Sequence, residues 1–220
     1  MPGLPVSPRA IGAFWVERRT TGWYAPAALN RGAKMIPSIQ ECYNLMDAYQ
    51  MLDNIKAHSV VVAKVAHIIA RNLQHSGIHV SVKTATVGGL LHDIGKTASL
   101  RTGQDHSEIG RQICLRHHLE EIAPLVAEHV RLKDYDLNGN CSEKEIVFYA
   151  DKRVNHDRIV SLDERLAYII ERYGQGRERI IKAIRENFSL CRQVEEKLFR
   201  NLRFSPDDIP RLTADCEKLL

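Results

Sequence analysis

Asn54-Ile-Lys-Ala-His-Ser-Val-Val-Val-Ala-Lys-Val-Ala-His-Ile-Ile-Ala-Arg-Asn-Leu-Gln74 is the stretch that decides the fold class. Apolar residues recur in it at three- and four-residue spacing, as at Ile55, Val62, Val65, Ile69 and Leu73, so that successive helical turns present one face. Outward from it, the punctuation is helical too. Ser38-Ile-Gln-Glu41 is a capping box, and Asp105-His-Ser-Glu108 and Ser142-Glu-Lys-Glu145 repeat that kind of start signal. Gly95, just past a pattern that ends near Asp93, reads as a C-terminal cap, and Pro124 suits a first turn. These signals predict helices over 38–53, 54–74, 81–93, 105–118, 124–132, 142–156, 161–173 and 177–202, with a short one after Pro210. No alternating run is long enough to predict a strand. The expected fold is all-α.

With 220 residues, 44% hydrophobic and 26% charged, the chain can bury a sizeable core, which excludes a mostly disordered or collagen-like protein. No apolar run reaches the roughly 18 residues of a membrane span, so no membrane partner is expected. The five cysteines (Cys42, Cys114, Cys141, Cys191 and Cys216) are odd in number, scattered and never in a Cys-x-x-Cys pair. That argues against a disulfide framework or a thiolate zinc site and favours a reducing compartment, so a cytoplasmic location is expected.

Residues 1–34 differ from the rest. They hold four of the eight prolines and both tryptophans, with no sustained helical or strand period. Arg9, Arg18, Arg19, Arg31 and Lys34 against Glu17 account for the whole formal charge of +4. The remainder is neutral overall, so no nucleic-acid partner is expected. The segment lacks the hydrophobic stretch of a secretory signal. Met35 opens the helical pattern and is expected to be the natural start, residues 1–34 being an irregular basic extension foreign to the native protein. The expected division is that extension, a helical core over 35–174, and a helical C-terminal extension over 175–220 packed on the core.

Several polar residues fall on apolar faces. His58 lies within about 60° of Ile55, Val62, Val65 and Ile69 on a helical wheel, whereas His67, nine residues on, falls on the opposite face, expected to be solvated. His129 follows Val126 and Leu125 by three and four residues, and Asp151 sits four after Val147 and three before Val154. A buried ionised carboxylate is costly unless paired or bound to a metal. Singly, such a histidine is usually a hydrogen-bonded core residue and such an aspartate a helix cap. As a group, His58, His92-Asp93, His106, His129 and Asp151 offer imidazole and carboxylate donors, a set that suits iron, manganese, zinc or nickel rather than calcium.

Here the residues carry a resemblance. Gly88-Gly-Leu-Leu-His-Asp-Ile-Gly-Lys-Thr97 resembles the signature of the HD-domain metal-dependent phosphohydrolase superfamily. Its first histidine matches His58 in Lys56-Ala-His-Ser59, its doublet His92-Asp93, and its later aspartate Asp151 in Tyr149-Ala-Asp-Lys152. His106 in Asp105-His-Ser-Glu-Ile-Gly110 and His129 in Ala127-Glu-His-Val130 match the subgroup that holds two metals. The resemblance covers roughly residues 50–160. It implies a single-domain helical bundle in which His58, His92, Asp93 and Asp151 hold one ion, and His106, His129 and a bridging Asp93 the other. The implied cofactors are two divalent transition metals, iron or manganese first, with zinc, nickel, cobalt or magnesium as alternatives. The implied reaction is hydrolysis of a phosphoester or phosphoanhydride of a nucleotide or other small phosphorylated metabolite by a metal-activated hydroxide. A di-iron oxygenase and a non-catalytic nucleotide sensor are the alternatives.

Asp93 and Lys96 are the expected catalytic residues, Lys96 neutralising a leaving oxygen or binding phosphate; a solvated lysine at a helix end is the ordinary alternative. If Asp151 points inward, Lys152 and Arg153 turn about 100° and 200° away on a regular helix and belong on the rim or in solvent. Arg153, Arg158 and Arg165 are candidate phosphate clamps against the simpler reading of a solvated face. His117 lies eleven residues after His106, about 16 Å along one helix, too far to share its metal cluster. With His118 it is expected at the surface or behind the ligands, and Glu128 is a weaker candidate to join the site. His75, His79 and His156 lie near helix ends and need no special role. Residues 177–202 read as a solvated amphipathic helix, and this helix or the tail after it is the candidate surface for a homo-oligomer contact.

Overall fold

Ser-x-x-Glu capping boxes open three helices. Ser38 with Glu41, Ser142 with Glu145 and Ser161 with Glu164 each satisfy two backbone amides that a helix start leaves unbonded. Asp105 starts a fourth by accepting from the Ser107 amide (2.8 Å), while Glu108, the residue placed to reach back, bonds Arg111 and Gln112. The structure, a computed structural model, describes residues 36–214; the irregular segment expected over 1–34 and Cys216 lie outside the described residues.

The first six helices are α1 (Ile39–Ala48), α2 (Asp53–His75), α3 (Val82–Leu91), α4 (Lys96–Thr102), α5 (His106–Arg116) and α6 (Ala123–Glu128). After α7 (Glu143–Lys152), strands β1 (Val154–Asn155) and β2 (Arg158–Ile159) pair antiparallel, Val154 opposite Ile159. Then come α8 (Leu162–Ile169), a π-helical turn (Ile170–Gly174), α9 (Glu178–Phe199), a 3-10 turn (Pro206–Asp208) and α10 (Ile209–Ala214). The fold is all-α, as expected. No helix among the described residues is long and apolar enough to cross a membrane.

Four expectations need correction. The helix predicted over 81–93 ends at Leu91, and α4 follows almost at once. Gly95 is therefore no left-handed cap: its φ is −80°, and it precedes α4. The helix predicted over 142–156 stops at Lys152, because His156 turns the chain at φ +56° into a hairpin too short to show a period of two. The helix predicted over 161–173 gives way to the π turn after Ile169.

α2 runs between two packed clusters. Val62, Val65, Ile69 and Leu73 face Phe148 and Tyr149 of α7 and Phe188, Val194 and Leu198 of α9. Ile55 and Ala63 face Met46, Val87, Leu90, Leu91, Ile113 and Val126. Packing on two sides leaves little of α2 to solvent, so His67 is half-buried against α3, its Nδ1 3.1 Å from Thr86 Oγ1, instead of on an open face. From Thr84 on, α3 is buried all round, as a helix stretch without a polar face must be. Gly89 lets it approach α2: a Cβ there would stand 2.7 Å from Ala63 Cα.

Candidate metal centre

Helix ends supply most of the polar cluster that results. His58 projects from the second turn of α2, His92 and Asp93 lie between α3 and α4, and His106 opens α5. His129 directly follows α6, and Asp151 lies in the last turn of α7. His92 Nδ1 bonds the Gly89 carbonyl and His129 Nδ1 the Val126 carbonyl, both 2.7 Å and both three residues back. Each ring thus caps a carbonyl that its own helix leaves free. His58 Nδ1 does the same with the His156 carbonyl (2.7 Å), offered by the β1–β2 turn. A carbonyl can only accept, so each Nδ1 carries a proton, and in the neutral ring each Nε2 presents its lone pair to the centre, as metal-binding imidazoles require.

The Nε2 atoms converge on two carboxylates. Asp151 Oδ1 lies 3.1 Å from His58 Nε2 and 3.6 Å from His92 Nε2. Asp93 divides its oxygens: Oδ2 faces His92 Nε2 (3.5 Å), while Oδ1 faces His106 Nε2 (3.4 Å) and His129 Nε2 (3.5 Å). His106 Nε2 and His129 Nε2 are 3.1 Å apart. Two donor groups follow, His58–His92–Asp93 and Asp93–His106–His129, joined by Asp93.

This arrangement fits divalent metal ions. Among the described residues, His92 Nε2 and Asp93 Oδ1 are fully buried without a hydrogen-bond partner. Such a group costs about 1–3 kcal/mol unless something else coordinates it. The charge states of the two carboxylates and of His106 agree, whereas His92 is drawn toward its protonated form, a proton that a bound metal would displace. Burial pushes the two carboxyls up, but His92 beside Asp93, and Lys152 and His58 beside Asp151, hold both well below the usual range. Burial and the neighbouring His129 press His106 down to about 4, so its ring is neutral at physiological pH. Burial lowers His92 as well, but the Asp93 and Asp151 carboxylates outweigh it and raise the ring overall.

A family profile described as the HD domain matches residues 55–156. The chain carries an HD domain. All six residues of the centre lie within it. The chain is 26% identical to an uncharacterized protein of Methanocaldococcus jannaschii over 60% of its own length and 85% of that protein's. It is 29% identical to ribonuclease Y of Treponema denticola over 69% of this chain but 33% of that one. It is 28% identical to a tRNA (cytidine(56)-2'-O)-methyltransferase of Thermoplasma volcanium over 48% of this chain and 29% of that one. No solved structure matches.

Around the HD-domain centre, Lys96 Nζ bonds Asp93 Oδ2 (2.7 Å) with its side chain 37% exposed. Burial would lower this lysine, but Asp93 and Asp151 raise it, so it is charged. Lys152 and Arg153 are not on a rim. Lys152 is buried over the Phe148 ring, donating to the His129 carbonyl and to Asp151 Oδ2 (3.2 Å). Arg153 is 3% exposed and donates to the Val160 and Pro206 carbonyls and the Tyr149 hydroxyl, which takes it away from any clamp position. Arg158 is exposed, and Arg165 bonds Asn155 Oδ1 (2.7 Å) over the Tyr168 ring. Glu128 turns from the centre to Lys144 Nζ and the Lys133 amide. His117 meets the Tyr49 hydroxyl (3.0 Å), and His75, His79 and His118 are exposed. The sequence reading missed two supports, Lys152 and the His156 carbonyl. Only the position of Lys152 next to Asp151 pointed to either.

Proposed function

We propose that this HD domain is a metal-dependent phosphohydrolase acting on a phosphoester or phosphoanhydride of a nucleotide or other small phosphorylated compound. The carrying observation is the divided carboxylate of Asp93, one oxygen toward His92 and the other toward His106 and His129. His58, His92, Asp93 and Asp151 would hold one divalent transition metal, and Asp93, His106 and His129 a second, iron or manganese suiting this donor set best. Bound there, the ions supply Lewis acidity toward phosphate oxygens and activate water as the nucleophile.

The chain's own groups do the rest. The carbonyls of Gly89, Val126 and His156 fix the rings, and Lys152 ties the chain after α6 to α7. Lys96, charged and partly exposed beside Asp93, would bind a phosphate oxygen and neutralise the charge left on a departing oxygen. The relation to ribonuclease Y supports including phosphodiesters among the substrates tested.

The test is phosphate or nucleotide release by Mn²⁺-, Fe²⁺- or Co²⁺-loaded protein. The panel spans mononucleotides, dinucleoside polyphosphates, cyclic dinucleotides and phosphodiesters, with Asp93→Ala as the blank. Release absent from the blank is expected. Silence across the panel with metal bound overturns the reading and turns attention to O₂ consumption.

A further inference from the structure

Beside the chain that follows His129, a groove of about 510 Å³ runs along the first half of α9. Its volume is that of a ligand site. Val130, Ile180 and Ile184 give it an apolar floor, and Arg131, Arg177 and Arg179 a cationic rim. No carboxylate lines it; Glu178, between two of the arginines in sequence, does not. Arg177 donates to Gln175 Oε1 (3.1 Å), and all three arginines are exposed.

The chain that follows His129 ties the groove to the metal centre, and the turn before α9 sets an aromatic ring near the groove. The chain at His129–Val130 is pinned on both sides, its first carbonyl by Lys152 and its second by Asn187 of α9 (3.0 Å). The turn before α9, closed by the Arg177 amide on the Gly174 carbonyl (2.8 Å), has Arg177 at the groove and Tyr173 at its other end. Tyr173 is 51% exposed. The four residue steps between Tyr173 and Arg177 span at most about 14 Å. Tyr173 also belongs to the π turn, a geometry frequent at functional sites.

Resting on the phosphohydrolase reading, we infer that the groove carries the remote part of the substrate and that this substrate is a single nucleic-acid strand. One phosphodiester occupies the metal centre, a neighbouring base stacks on Tyr173, and further phosphates meet Arg131, Arg177 and Arg179 with bases against the apolar floor. A cationic groove combined with an aromatic platform is how single strands are held. A mononucleotide would leave the three arginines without a partner. The neutrality of the chain beyond residue 34 is a sum over the whole surface and does not describe this patch.

The experiment is fluorescence anisotropy of the metal-loaded full chain with a labelled, cleavage-resistant phosphorothioate 12-mer of uridylate, titrated across salt concentrations. Unlabelled uridine monophosphate serves as competitor. Arg131→Ser/Arg177→Ser/Arg179→Ser should flatten the slope of log K against log salt by about 2, the release expected for three single-strand phosphate contacts. Tyr173→Ala should weaken binding about tenfold. Thermal melts of both variants check that they fold. An unchanged salt slope in the triple variant, or competition by the mononucleotide as strong as by unlabelled 12-mer, overturns the inference. Binding with the expected slope, but no turnover of any cleavable strand, supports the groove and counts against the phosphohydrolase reading alone.

Discussion

A Cβ placed on Gly95 would stand 2.2 Å from the carbonyl oxygen of His106 and 2.6 Å from the Gly110 amide. The absence of a side chain at residue 95 is therefore what lets the start of α5 lie against the His92–Asp93 turn, and so brings His106 Nε2 to Asp93 Oδ1. Gly95→Ala must push α5 away. The expected cost is about 1–3 kcal/mol of stability, typical of overpacking. Metal content should fall toward one ion per chain, since His58, His92 and Asp151 are not displaced. Metal analysis and thermal melting check this; full metal content at wild-type stability would show that α5 does not set the second half of the centre.

Lys152 spans the two halves of the centre from behind, bonding the His129 carbonyl and the Asp151 carboxylate. Lys152→Met keeps most of the length and the apolar stem of the side chain but removes the ammonium, and with it the stacking of Nζ on Phe148. The expected result is a 10- to 100-fold loss of metal affinity, roughly what losing a support behind a ligand costs. Competition with a chelator of known affinity measures it, and an unchanged affinity would reduce Lys152 to a packing residue.

Lys96 and His117 should behave oppositely to the ligands. Lys96→Ala should lower turnover with metal content intact, because its ammonium pairs with Asp93 Oδ2 but supplies no metal-ligating atom itself. His117→Ala removes one hydrogen bond to Tyr49, worth about 1 kcal/mol, and should leave both metal and turnover unchanged. Loss of metal in either variant would contradict the placement of that residue.

Helix starts and the six polar residues of the centre were legible because each carries a local signal: a cap, a period, or a polar side chain on an apolar stripe. What was not legible depends on neighbours. Gly95 reads as a terminator in one dimension and becomes a close-approach site only when α5 is packed on it. Lys152 and Arg153 were placed by helical rotation, but α7 ends at Lys152 and is buried on consecutive residues from Glu145 to Ala150. A helix enclosed on all sides offers no solvated face, and Arg153, past its end, does not follow its rotation. His67 was misplaced for the same reason: α2 packs on two clusters, not one.

Burial raises the thiols of Cys42, Cys114 and Cys191 to about 12 each. Their folded pKa lies above the unfolded value, so the folded state holds these protons more tightly. That stability is fully present below about pH 8.5, the ordinary thiol value, and is lost as pH rises toward 12. Urea midpoints should therefore fall between pH 8.5 and 10.5, and Cys42, Cys114 and Cys191 should react with a thiol reagent only on unfolding. Rapid labelling of any of the three in the native protein at pH 8 would contradict their burial.

Arg153 and Arg158 give the sharpest contrast between neighbouring basic residues. The Arg153 guanidinium serves the Val160 carbonyl (2.7 Å), the Tyr149 hydroxyl (2.5 Å) and the Pro206 carbonyl (3.1 Å), with Glu195 Oε2 at 3.4 Å. Tyr149 in turn donates to Glu195 (2.5 Å), so this arginine closes a network joining α7, α9 and the chain before α10. Arg153→Ala would strand these groups in the interior, at a cost of about 3–5 kcal/mol, the scale for breaking a buried charged pair. Arg158→Ala, at an exposed position, should stay within about 0.5 kcal/mol. Urea unfolding of the two variants side by side decides the matter. If Arg153→Ala kept its stability and lost turnover instead, the guanidinium would have to face substrate, and the network described here would not be what holds it.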